Sequence, residues 1–230
     1  TFLMSLTPSL LKYLLDLKSN NSREWFGANK EVYTDLKMKF EEFVSQLILE
    51  FGEFENLDGV QVKNCTYRIN RDVRFTKNKD PYKTWFSASF SEGGRKSGFM
   101  DYYLHIEPNG KSFLGGGMYN PSPEQLAKYR QEIDYNAQGL RKIIDQPNFV
   151  KIFGKAEGES LKNTPKGFDA LHPDADLLKV KTMFFWHHFT DAEVTSGQFV
   201  DLVINKAKVL KPYLDFLNAT FFDKEPFLKV

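Results

Sequence analysis

The sequence predicts an α+β fold in which a central antiparallel sheet is flanked by helices from both ends of the chain. Three observations support this prediction. Apolar residues recur every three or four positions before residue 52 and again after residue 190, as in amphipathic helices. Between about residues 60 and 118, apolar residues alternate with polar ones, as in half-buried strands. Turn-forming residues separate these runs, so we expect the strands to pair as a meander.

Two amphipathic helices are expected at the start of the chain. The first should open at Thr7 and Pro8 and stop within Ser19–Asn21, because proline is favoured in the first turn and polar residues follow the apolar stripe. Asn21 or Ser22 can cap the second helix. The second helix either breaks near residue 27 or continues to about Phe51.

The predicted meander consists of four alternating segments. They are Tyr67–Phe75, Tyr82–Phe90, Met100–Ile106 and Lys111–Leu114. Each segment places its apolar side chains on one face, because successive side chains of a strand point to opposite sides. The same alternation places charged and aromatic side chains together on the other face.

Helices are expected again after the meander. One should cover Pro123–Asp134 and a shorter one Gly139–Asp145. Residues 149–178 are rich in glycine, lysine and proline and predict irregular structure. The apolar run Met183–Phe189 is compatible with either a helix or a strand, and terminal helices should begin at Asp191.

Length and composition predict a single domain over residues 1–230. Apolar residues make up 41% of the chain and charged residues 27%, which excludes a disordered protein. No run approaches the roughly 18 apolar residues of a membrane span, so no membrane association is expected. The single cysteine, Cys65, excludes an internal disulfide or a multi-cysteine zinc site and is consistent with a reducing, cytoplasmic location.

The most unusual feature is a basic cluster between Lys63 and Lys83. These 21 residues carry net charge +5, whereas the whole chain carries +1. The basic members are Lys63, Arg68, Arg71, Arg74, Lys77, Lys79 and Lys83, and the acidic ones are Asp72 and Asp80. A local excess of positive charge favours an anionic partner.

We interpret this cluster as the anion-binding part of a β-hairpin. The turn at residues 78–81 should fold Lys83 back toward Arg74, so that Arg74, Lys77 and Lys83 hold a phosphate or carboxylate. Arg68 shares the strand face of Arg74 but lies roughly 20 Å away on an extended strand. Arg71 lies on the apolar face and is expected to be structural. The candidate ligand-binding residues are Arg68, Arg71, Arg74, Lys77 and Lys83.

Three alternatives use the same residues. The hairpin could be a solvated face with surface ion pairs of little energetic value. It could bind nucleic acid, with Phe75, Tyr82 and Trp85 as stacking surfaces. It could also be a non-catalytic module that binds an acidic protein partner.

Catalysis is not predicted by any complete motif. The candidate groups for proton transfer are Asp72, Tyr82 and His105, because they lie in or beside the basic segment or among the aromatic residues of the sheet. The sequence predicts no metal site and specifies no cofactor. The triplet Gly115–Gly117 lacks the lysine of a phosphate-binding loop and is expected to form a bend at the end of a strand.

The run from Tyr67 to Lys83 resembles the signature of a mostly bacterial family known as domain of unknown function 2461. Further segments resemble the family in the same order along the chain. They are Asn20–Phe26, Asn29, Lys30, Tyr33, Tyr102–Ile106, Gly115–Tyr119, Pro121, Leu161, Lys162, Pro165–Phe168, His172, Pro173, Leu177 and Leu178. The resemblance therefore covers nearly the whole chain.

The resemblance implies a full-length single domain and a cytosolic bacterial protein, and it implies no activity. The chain departs from the family pattern at two positions. Asn78 stands where an acidic residue is usual, which removes one charge from the turn, and Thr76 stands where serine is common.

Overall fold

The computed structural model describes residues 5–227, so both ends of the expected domain lie outside the described residues. Within them, four antiparallel strands form one sheet in the order β1-β2-β3-β4. The strands are β1 Phe86–Phe90, β2 Tyr102–Ile106, β3 Ser112–Met118 and β4 Met183–Phe189. The predicted α+β class and its antiparallel meander are confirmed, and the apolar run before Asp191 is the fourth strand.

The N-terminal half begins with helices α1 Pro8–Ser19, α2 Arg23–Ala28, α3 Lys30–Phe51 and α4 Val62–Cys65. The Ser22 hydroxyl accepts a backbone N–H from the first turn of α2 and so fixes its start. The second predicted helix therefore breaks between α2 and α3, which is one of the two alternatives that the sequence left open.

The remaining helices precede and follow β4 along the chain. They are α5 Pro123–Asn136, α6 Gln138–Ile144, α7 Pro147–Phe153, α8 Ala175–Leu178, α9 Asp191–Val194 and α10 Phe199–Phe222. Two of them, α7 and α8, fall largely in the segment that the sequence predicted to be irregular. Across residues 5–227, no helix is long and apolar enough to cross a membrane.

Helices α3 and α10 pack on one face of the sheet. The ring of Phe51 on α3 lies 4.6 Å from that of Phe90 on β1. The ring of Tyr213 on α10 lies 5.0 Å from that of Phe185 on β4. All four of these residues are buried, so this face forms the hydrophobic core. The cavity described below lies on the opposite face of the sheet.

A cluster of polar and charged side chains joins α10 and β2 to the segment after α3. The Tyr102 hydroxyl on β2 donates a 2.5 Å hydrogen bond to the Glu55 carboxylate, just after α3. Lys211 on α10 donates to Glu55 and to Asp215, each at 3.1 Å. Burial, and next the charge of Glu55, raise the pKa of the Tyr102 hydroxyl far above its usual value, so it remains a donor. The cluster links a helix end, a strand and the C-terminal helix.

The predicted strand Tyr67–Phe75 is wrong. The first part of the segment does pair with its neighbour: Tyr67 N donates to Ser87 O in β1 at 3.1 Å, Lys83 N donates to Ile69 O at 2.8 Å, and Arg71 N donates to Pro81 O at 2.9 Å. Beyond Arg71 the chain is largely exposed, and we call residues 68–80, the paired base included, the basic loop. Alternation misled the prediction because the loop beyond Ile69 interleaves charged and apolar residues without fully burying the apolar ones: Phe75 is 92% exposed.

Candidate functional site

The face of the sheet opposite α3 and α10 contains a cavity of about 500 Å³. It exists because the strands place alternate side chains away from the core, and those side chains are mostly aromatic. We call it the aromatic cavity. It is lined by Tyr67, Lys83, Trp85, Ser87, Ser89, Asp101, Tyr103, His105, Phe113, Gly115, Gly116, Gly117, Tyr119, Phe184 and Trp186.

Strand register arranges these residues in rows across the sheet. Ser89 pairs with Tyr103, which pairs with Gly115, which pairs with Trp186. Gly115 thus lies between two large aromatic residues and carries no side chain. At this point the cavity is lined by backbone between the rings of Tyr103 and Trp186.

One end of the cavity carries positive charge. The Lys83 ammonium lies 5.4 Å from the centre of the Tyr67 ring, and the Arg95 guanidinium lies 5.3 Å from the same ring. Arg95 is fixed by a 2.8 Å hydrogen bond to the Thr66 carbonyl. Burial lowers the pKa of Lys83, and the charges of Arg68 and Arg95 lower it further. This end is therefore a partly desolvated site for a negative group.

Asp101, immediately before β2, is the carboxyl group of the cavity. Burial raises its pKa to about 6, and a hydrogen bond from the Ser89 side chain offsets part of that rise. The Ser89 hydroxyl is also 3.0 Å from the Tyr67 hydroxyl. Asp101 can therefore hold or release a proton near neutral pH, which is a common property of functional carboxyls in clefts.

His105 lies between the aromatic wall and Glu107. One ring nitrogen is 3.0 Å from the Glu107 carboxylate, and the other is 3.4 Å from the Tyr103 hydroxyl. Its ring also stacks on Phe113 with centroids 4.8 Å apart. Burial lowers the pKa of His105, although Glu107 raises it in part. The neutral imidazole is held in a fixed orientation and fits a role in positioning the wall.

Comparison with known proteins assigns the chain to a family. The model of the family described as "Conserved hypothetical protein (DUF2461)" matches residues 9–216. The chain belongs to this family. A search of curated proteins and a search of solved structures each found no match. The resemblance identified from the sequence is confirmed over nearly the full length, and the family description carries no activity.

The five ligand-binding candidates of this DUF2461 protein do not lie together. Among the described residues, the lining of the aromatic cavity includes Lys83 but not the other four. Arg68 lies on the exposed basic loop, and its charge lowers the pKa of Lys83. Arg71 is partly buried and donates to the Asp80 carbonyl at 3.2 Å. Lys77 is exposed near the tip of the loop.

Arg74 has a different partner from the one that the sequence suggested. Its guanidinium makes two hydrogen bonds to the Asp72 carboxylate, at 3.0 and 2.7 Å, on an exposed part of the loop. It also lies 5.5 Å above the Phe75 ring. Arg74 and Lys83 therefore face different groups, because the loop does not continue as a regular hairpin that would align them.

The three candidates for proton transfer are equally dispersed. Asp72 is paired with Arg74, which lowers the pKa of the carboxyl. Tyr82 is buried in the core, where its ring stacks on Phe26 at 4.0 Å. His105 does line the aromatic cavity. Sequence reasoning named His105 but missed Asp101, although Asp101 alternates with core residues in the same predicted segment, Met100–Ile106.

The Gly115–Gly117 triplet lies inside β3 and not at a bend beyond it. In this DUF2461 protein the triplet allows the backbone of β3 to lie close to the backbone of its neighbours. A Cβ atom at Gly115 would lie 2.5 Å from the Phe185 carbonyl oxygen, and one at Gly116 would lie 2.6 Å from the Asp101 carbonyl oxygen. The triplet therefore sets both the depth of the cavity and the packing of β3 on its neighbours.

Burial of Asp101 has a testable effect on stability. Its pKa of about 6 in the folded protein exceeds the ordinary value of 3.8, so the folded state binds this proton more tightly. The associated stability is present below about pH 4 and is lost as pH rises through about 6. At pH 7.5 the free energy of unfolding of the Asp101→Asn variant should exceed that of wild type by about 1–2 kcal/mol, because the variant has no desolvated charge at this position.

Urea unfolding at pH 4.5 and 7.5 measures this difference. The gain should shrink at pH 4.5, where Asp101 is mostly protonated. Asp72→Asn is the matched control, because Arg74 lowers the pKa of that carboxyl and its removal should give no gain at pH 7.5. A destabilised Asp101→Asn variant at pH 7.5 would contradict the assignment of a desolvated carboxyl.

Proposed function

We propose that this DUF2461 protein binds a small planar organic anion, a carboxylate or a phosphate ester, in the aromatic cavity. The observation that carries the proposal is the presence of Lys83 in the lining of a 500 Å³ cavity whose other walls are mostly aromatic rings. Cavities of small-molecule sites typically have this size and combine apolar walls with few polar groups.

The aromatic walls favour a flat ligand. Phe184 and Trp186 lie on one side, with ring centroids 4.3 Å apart. Tyr67 and Tyr103 lie on the other side, with centroids 5.9 Å apart. Aromatic faces gain energy from stacking on a second ring in addition to the burial of apolar area. A ligand ring inserted above Gly115 would contact both sides.

Lys83 supplies the attraction for the anionic group. Burial and two neighbouring arginines lower its pKa, and no carboxylate of the described residues contributes to that shift. No carboxylate of the described residues forms an ion pair with Lys83. A ligand carboxylate or phosphate can supply the missing partner, and such charge-assisted hydrogen bonds are about twice as strong as neutral ones.

The basic loop offers a weaker site for the same ligand. Arg74 is paired with Asp72, and its side chain is 75% exposed. Lys79 donates to the Val73 carbonyl at 2.9 Å. Exposed charges of this kind interact weakly with small anions because water and salt screen them. The loop increases the positive potential near the Lys83 end without forming a cavity of its own.

Replacement of Lys83 by Met should weaken the binding of anions and leave the fold intact. Methionine keeps the apolar stem and removes the charge, so we expect the Kd of para-ethylbenzoate, a planar carboxylate, to rise about tenfold or more. Titration followed by tryptophan fluorescence measures it, because Trp85 and Trp186 line the cavity. A panel of aryl carboxylates and aryl phosphates extends the test.

Lys77→Met is the matched control, since it removes the same charge from the exposed loop. Its Kd should stay within about twofold of wild type, because the lost interaction is screened. The proposal fails if no panel member gives a saturable change with wild type, or if the Lys83 variant binds as tightly as the Lys77 variant.

A further inference from the structure

The aromatic cavity carries opposite charges at its two ends. Lys83 precedes β1 at the end of the sheet where Phe86 pairs with Ile106. Asp101 precedes β2 at the other end, where Phe90 pairs with Tyr102. The backbone between these ends spans roughly 13 Å, at about 3.3 Å per residue. A ligand that fills the cavity therefore has Lys83 near one end and Asp101 near the other.

Asp101 forms no ion pair with a lysine or arginine of the described residues, although its charge and that of Arg95 both act on Cys65 and Tyr67. The influences on its pKa are burial, the Ser89 side chain and its own backbone, with no lysine or arginine among them. Ser89 is also within hydrogen-bond distance of Tyr67, so the carboxylate shares this single hydroxyl. A ligand that displaced water from the cavity would leave an ionised Asp101 without sufficient partners, and such a group is costly.

We propose that the cavity selects an amphoteric ligand: a planar ring with an anionic group facing Lys83 and an amine, or another N–H donor, facing Asp101. The inference rests on the proposed function and adds the ligand class. The amine supplies the donor that Asp101 lacks. The rings of Tyr67 and Tyr103, which line the same cavity, add a favourable environment for a cation.

A ligand without the amine can bind only if Asp101 is neutral, and this gives the two ligand types opposite pH dependences. The affinity of a simple aryl carboxylate should fall as pH rises through about 6, because the proton on Asp101 must be retained. The affinity of an amine-bearing analogue should rise over the same range, because the ammonium pairs with ionised Asp101.

Other groups around Asp101 do not produce this contrast. The titratable or charged neighbours that the structure places near it or along the cavity are Cys65, Tyr67, Lys83, Arg95, Tyr103 and His105. Burial raises the pKa of Cys65 to about 12 and raises that of both tyrosines, so these three stay neutral. Any titration of Lys83 or His105 acts on both ligand types, so it cancels from the ratio of their affinities.

The test compares two probes of the same shape, para-(aminomethyl)benzoate and para-ethylbenzoate, between pH 5 and 7.5. Wild type should prefer the amine-bearing probe at pH 7.5 by about tenfold or more, the usual effect of one charge-assisted hydrogen bond. The preference should decrease toward pH 5. In Asp101→Asn it should fall to within about twofold at every pH, whereas Asp72→Asn, which removes an exposed carboxylate, should keep it.

The outcomes separate this inference from the proposed function. Binding of para-ethylbenzoate that depends on Lys83, without a preference for the amine in wild type, would overturn the inference and leave the proposed function standing. A preference that persists in Asp101→Asn would also overturn the inference. Absence of binding of both probes would overturn the inference, and absence of binding of every aryl carboxylate and aryl phosphate of the panel would overturn the proposed function as well. Circular dichroism melting curves of each variant establish that a lost preference does not reflect unfolding.

Discussion

Replacement of Gly117 by Ala is expected to lower the free energy of unfolding by about 3 kcal/mol and to weaken binding in the aromatic cavity. Gly117 has φ of 133°, a region that residues with a side chain rarely adopt. An added Cβ would lie 2.7 Å from the Met183 carbonyl oxygen and 2.9 Å from the Phe184 Cα. These are backbone atoms of β4, so the clash is relieved only if the strand moves. Urea unfolding and the para-ethylbenzoate titration measure the two effects.

Gly27→Ala is the matched control. Gly27 lies in α2, and an added Cβ there meets no atom within 4 Å. Alanine has the higher helix propensity, so this variant should be as stable as wild type or up to about 1 kcal/mol more stable. If the Gly117 variant unfolds at the same urea concentration as wild type, β3 does not require glycine at this position.

Replacement of Lys211 by Met is expected to cost about 3 kcal/mol of stability. Lys211 is the cation that joins Glu55 and Asp215, and the side chains of Lys211 and Glu55 are only 17% and 13% exposed. Removing it leaves two poorly hydrated carboxylates close together without a positive partner. Urea unfolding at pH 7.5 measures this loss.

Lys12→Met provides the comparison for this second variant. Lys12 makes a 2.7 Å ion pair with Asp16, but their side chains are 74% and 47% exposed. Pairs of this kind contribute no more than about 0.5 kcal/mol, so the control should remain close to wild type. Equal stability of the Lys12 and Lys211 variants would show that the buried cluster is not a net stabilising feature.

The sequence predicts most helices and three of the strands because their patterns are regular. Helix α1 has both a proline start and a continuous apolar stripe, and its bounds agree with the prediction. Strand β4 could not be distinguished from a helix because both of its faces are aromatic. Phe185 packs into the core, whereas Phe184 and Trp186 line the cavity, so the alternation of polar and apolar residues is lost.

The candidate site was only partly accessible to the same reasoning. Local charge density pointed to the cluster from Lys63 to Lys83, and its last member, Lys83, does line the cavity. Asp101 was not singled out, because its significance depends on burial and on Ser89, which only the pairing of β1 with β2 brings near. The available signal was the non-core face of β2, where Asp101, Tyr103 and His105 alternate with apolar residues. Titratable and aromatic residues on one strand face predict a lined cavity better than charge alone.

The last wall of the cavity depends on a long connection in the sheet. Strand β4 supplies Phe184 and Trp186, yet it joins β3 only after the connection from Met118 to Met183. Closing a long connection costs more conformational entropy than closing a short hairpin. The β3–β4 pairing therefore carries a larger entropic cost than the β2–β3 hairpin, and a ligand that stacks on Phe184 and Trp186 would offset part of that cost by binding only the folded state.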